Sequence, residues 1–79
     1  MKQKRIMLPT VEEAKKFVAA ASKCDFDIDV FYNRVVIDAK SLLGVLSLDL
    51  TRVLTVEYNG DNQEFEAFLN KKAAATTAA

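Results

Sequence analysis

Lys40-Ser41-Leu42-Leu43-Gly44-Val45-Leu46-Ser47-Leu48 sets a serine in front of a run that is almost wholly apolar. Serine is a favoured helix N-cap because its hydroxyl accepts from an amide of the first turn. The run therefore reads as a short helix from Ser41 to Leu48. One turn carrying Leu42, Leu43, Val45, Leu46 and Leu48 cannot bury every side, so some apolar area is left for solvent or a partner. A helix this short does not stand alone in water. The flanking sequence has to supply the sheet it packs on.

Upstream, Asp25 to Tyr32 alternates polar and apolar residues, which predicts a strand with one buried face. Asn33-Arg34 sits where a two-residue hairpin turn belongs, and Val35 to Asp38 returns as the partner strand. Arginine suits a positive φ poorly, so a strained or longer turn is one expectation there. Before this hairpin, Lys4 to Leu8 reads as a strand closed by Pro9. Thr10 and Glu13 then form a capping box, with Val11, Ala14, Val18 and Ala21 as the apolar stripe of a helix of about 13 residues. Downstream, Arg52 to Tyr58 is a β-branched strand, Asn59-Gly60 a turn, and Asp61 to Lys72 a helix with Phe65, Phe68 and Leu69 inward. The order β-α-β-β-α-β-α predicts an α+β open-faced sandwich, a four-stranded antiparallel sheet with helices on one face. A single domain spans residues 1–72, and 73–79 is a low-complexity alanine and threonine tail.

Composition narrows the function. Eleven basic and eleven acidic residues cancel, which gives no electrostatic case for nucleic acid or an anionic membrane. The chain has one cysteine, Cys24, and no histidine, so neither an internal disulfide nor a cysteine–histidine zinc site can form. No cofactor is expected. Asp25, Asp27 and Asp29 open like a calcium loop, but Val30 stands at its glycine position and Val36 at its last ligand, so they read as a solvated strand face. Cys24 has no histidine to act as its base and reads as a small spacer. The apolar run after the basic start stops at Pro9, too short for a signal peptide. Cytoplasmic residence follows as the expectation.

Three markers carry a family resemblance: Ala21-Ser22-Lys23 closing the first helix, Tyr32-Asn33 at the hairpin, and Lys40 to Leu48. In identity and spacing they resemble HPr, the histidine-containing phosphocarrier of the bacterial sugar phosphotransferase system, over roughly residues 4 to 72. The resemblance implies that fold, and implies no enzyme activity. Counting back from Ala21 puts Thr10 at the place of the family's active histidine and Glu12 at the place of its arginine. A phosphothreonine would be a stable ester rather than a transferable phosphohistidine, and Glu12 and Glu13 would repel it.

The resemblance also implies site residues. Ser41 matches the serine that the family's regulatory kinase modifies, and Leu42, Leu43 and Leu46 match its patch for docking partner proteins. Lys40 is counted with these leucines in the docking surface, and Lys40 and Arg52 are the cations that could flank a phosphate on Ser41 or a partner's acidic patch. The reading is a binding and regulatory protein of carbon catabolite control. Its expected partners are the HPr kinase and a transcription regulator or phosphotransferase component, without direct contact to nucleic acid. A family phosphocarrier, and an interaction module unrelated to sugar metabolism, are the alternatives. The oligomeric state stays open.

Overall fold

The alternating segments assemble as the sequence requires in the computed structural model, which describes residues 1–74. Its elements are β1 (Lys2–Ile6), α1 (Val11–Ser22), β2 (Ile28–Tyr32), β3 (Val35–Asp38), α2 (Leu42–Leu46), β4 (Leu54–Tyr58) and α3 (Gln63–Lys71). The strands form one antiparallel sheet in the order β1-β4-β2-β3. Of the expected tail, residues 75–79 lie outside the described residues. Ala73 bridges Ile6, and the Ala74 N–H donates to the Arg5 carbonyl at 2.9 Å.

Strand alternation decides which face the helices cover. Ile6, Val30, Val56 and Tyr58 are fully buried beneath Phe17 of α1 and Phe65 of α3. Phe65 meets Tyr58 edge-on with ring centroids 5.4 Å apart, and Phe17 lies 6.1 Å from Phe65. Gln3, Arg5, Asp29, Phe31, Val36 and Thr55 belong to the opposite, helix-free face by the same alternation. No polar or charged residue among those described is buried.

Several boundaries differ from the sequence reading, each for a local reason. β1 ends at Ile6 rather than Leu8 because the Met7 N–H leaves the ladder and donates to the Lys72 carbonyl at 2.9 Å. Leu8 then turns into the core. β2 starts at Ile28 rather than Asp25, since Phe26 leaves strand geometry to stack on Tyr58 at 5.9 Å. β4 starts at Leu54, because the Arg52 N–H closes a turn on the Asp49 carbonyl. α2 stops at Leu46, and α3 opens at Gln63 with Asn62 as its cap. Val11, expected on the apolar stripe, is half exposed at the first position of α1, beyond the rim of the core. The hairpin needs one positive φ, and Asn33 takes it at 56°; Arg34 is spared.

Candidate functional site

The Ser41 segment is built on a turn. Asp38 closes it twice, its carbonyl accepting from the Ser41 N–H and its Oδ1 from the Lys40 N–H, both at 2.9 Å. Ser41 then takes an extended backbone and caps α2, its Oγ accepting from the Gly44 N–H at 3.2 Å. Its hydroxyl stays exposed. Gly44 is a glycine because α2 lies hard against β3: a Cβ there would stand 2.6 Å from Ile37 Cγ2 and 3.1 Å from Ser41 Oγ.

The leucines divide by helix face. Val45 points into the core with no exposure, and Leu48 follows it. Leu42 and Leu46 are half-buried against the core, while Leu43 is 85% exposed. The three therefore share one short helix, with Leu43 as its free tip and its two neighbours contributing their outer edges.

The two flanking cations are engaged elsewhere. Lys40 Nζ donates to the Cys24 carbonyl at 2.9 Å, tying the α2 approach to the end of α1. Arg52 pairs with Asp49 at 3.5 Å. The Lys40 role was not visible in sequence spacing, since its bond joins positions 16 residues apart, whereas Arg52 and Asp49 stand three apart. Lys40, rather than adjacent Lys23, is the cation felt by Cys24. Burial nonetheless dominates and pushes that thiol up from its ordinary value.

Thr10 stands where the first helix begins. It caps α1, with the Glu13 N–H donating to its Oγ1 at 3.1 Å. The reciprocal half of the capping box is absent. Glu13 instead faces Lys72, whose Nζ comes within 2.6 Å of Oε1 and joins the start of α1 to the end of α3. That oxygen is shielded and makes no hydrogen bond of good geometry, so the contact is chiefly ionic. The ammonium holds the Glu13 carboxyl below its ordinary range.

One polar cluster escaped the sequence reading. The Tyr58 hydroxyl donates to Glu66 Oε2 at 2.5 Å, and Lys2 reaches both Glu66 and Asp61. The Tyr58 bond holds Glu66 below the usual carboxylate range, and desolvation with that bond pushes Tyr58 well up. The cluster joins β1, β4 and α3, a closure that only the sheet order reveals.

Among the described residues no group of histidine, cysteine, aspartate and glutamate side chains could hold a metal, and no helix is long and apolar enough to cross a membrane. Residues 11–76 match the family model described as PTS HPr component, phosphorylation site. HPr-C-His from Thermoanaerobacter tengcongensis superposes with a TM-score of 0.73 at 28% identity, covering 90% of this chain and 89% of that one. The phosphocarrier protein HPr from Bacillus anthracis str. Ames superposes at 0.67 over 90% and 95% of the two chains; at 24% identity it speaks for the fold. No curated protein matches.

Proposed function

The chain belongs to the HPr family of the sugar phosphotransferase system, and from that premise we propose that it acts by binding partners and not by relaying phosphate through histidine. The observation that carries this is the absence of any histidine in its 79 residues. Thr10, at the position the resemblance assigns to the histidine, is spent as a helix cap beside Glu12 and Glu13. A dianion there would meet two carboxylates, one of them already paired with Lys72.

Ser41 is the modification site in this reading, acted on by the HPr kinase. Its hydroxyl is exposed, and Arg52 and Lys40 are both committed to other partners. A phosphate would therefore rest on the backbone amides that the serine already caps. Leu43, with the outer edges of Leu42 and Leu46, docks a transcription regulator or a phosphotransferase component, and Lys40 holds the approach to this helix in place. The setting is carbon catabolite control in the cytoplasm.

Intact-mass analysis after incubation with ATP and HPr kinase tests the first half. One added phosphate, lost in Ser41→Ala, is the expected result. No gain beside a working HPr control would overturn Ser41 as the site. Incubation with phosphoenolpyruvate and the general phosphotransferase enzyme tests the second. A labelled chain would overturn the non-relay reading.

A further inference from the structure

The sequence treats the two edges of the sheet differently. β1 carries Lys2, Lys4 and Arg5, and its last rung is covered by Ala73 and Ala74. Charged and covered edges keep a sheet from pairing with another chain. β3 is the other edge and reads Val35-Val36-Ile37-Asp38, with neither lysine nor proline. No strand among the described residues pairs with its outer side. Val35 is 50% exposed and Val36 60%.

The register tells which backbone groups β3 offers outward. The Ala39 N–H donates to the Ile28 carbonyl at 2.9 Å, extending the β2–β3 ladder by a rung. Alternation then turns the amides of Val35 and Ile37 toward β2 and those of Val36 and Asp38 away from it. The Asp38 carbonyl already accepts from Ser41. The free donor and acceptor therefore centre on Val36.

We propose that two copies of this chain self-associate through β3, pairing antiparallel about Val36 so that Arg34 of each protomer faces Asp38 of its partner. Charge complementarity selects this register. Arg34 and Asp38 are both exposed, and neither has an ion pair within its own chain among the described residues. Asp38 lies opposite Asp29, which lies opposite Glu57, so three carboxylates cross the helix-free face in one row. Like charges directly opposite destabilise a sheet, and the partner's guanidinium supplies the missing cation. Sliding by one step to put Val36 opposite Asp38 would set Arg34 against Lys40 instead. The chosen register also joins Phe31 and Val36, neighbours across β2–β3, to the same pair of the second copy in one apolar row. The charges of each copy cancel, so no net repulsion opposes contact.

Sedimentation equilibrium on the full chain tests this up to ~1 mM, the range suited to so small an interface. The mass is expected to rise from the 8.8 kDa monomer toward twice that value. Arg34→Asp and Asp38→Arg should each hold the mass at monomer. An equimolar mixture of the two should restore the rise, because every facing pair is then opposite in charge. Asp38 also supports the Lys40 turn, so Val36→Lys provides a variant that alters only the edge. It should be monomeric with an unchanged melting temperature. A wild-type mass that stays at monomer, a rise that survives Val36→Lys, or folded charge variants that fail to associate when mixed would each overturn the proposal.

Discussion

Gly60→Ala puts a methyl group where the Phe26 ring already stands. The added Cβ would lie 2.7 Å from Phe26 Cε2, and closer still to Cδ2 and Cγ. These are atoms of a rigid ring stacked on Tyr58 at 5.9 Å, so the ring has to move as a unit and give up that stacking. Overpacking of this kind costs about 1–3 kcal/mol. The alanine offsets about 0.4–1 kcal/mol by restricting the unfolded chain, since the φ of Gly60 is not positive. Taken at the middle of each range the net loss is about 1.3 kcal/mol, which lowers the melting temperature of a domain this size by roughly 5–10 °C. Thermal and urea unfolding followed by circular dichroism reads that loss, and a double-mutant cycle with Phe26→Ala isolates its cause. With the ring removed, Gly60→Ala should be neutral or slightly stabilising. If it lowers the midpoint equally in both backgrounds, the steric reasoning is wrong.

Leu43→Asp should leave unfolding stability within about 0.5 kcal/mol, because the side chain is 85% exposed, while abolishing capture of the docking partner. Val45→Ala, two residues on and fully buried, should cost about 2 kcal/mol in the same denaturation experiment. Thr10→Ala removes the α1 cap and should cost about 1 kcal/mol by urea unfolding; no change would mean that the amide of Glu13 finds water instead. Glu66 titrates below its ordinary range when folded, so its contribution to stability is present above that range and fades as pH falls through the folded value. Tyr58 is shifted upward, so its contribution is present below the ordinary tyrosine range and fades as pH rises through the folded value. Tyr58→Phe should return the Glu66 carboxyl toward the ordinary range in a carbon-detected NMR titration, and an unmoved titration would refute the linkage.

The fold was legible because local patterns agreed with one another. Period-two alternation, kept as a strand from Ile28 to Tyr32, the Asn33 turn and the Thr10 cap each act within a few residues, and the structure holds all of them. What sequence missed lay at element ends, where a distant group outbids the local one. Glu13 abandons its own cap for Lys72, and Met7 leaves the strand for the Lys72 carbonyl. Phe26 quits the alternating strand to cover Gly60. The Lys72 partners arrive only once α3 has packed back along the sheet, and Phe26 finds its own on β4 and the turn after it.

The Ser41 segment shows the same division within a single turn. Its serine cap and its excess of apolar residues could be read directly, because a helix of this length has no inside large enough for all of them. The choice of Leu43 as the free tip could not, since Leu42 and Leu46 are equally apolar. It is fixed by Gly44, whose missing side chain lets α2 approach Ile37 closely enough to turn Val45 into the core. Lys40 sits beside Ser41 in sequence yet spends its charge on the end of α1. Adjacency along the chain therefore gave the place of the site, and packing against β3 and α1 gave its working surface: one exposed hydroxyl, one exposed leucine, and no free cation from Lys40 or Arg52 beside them.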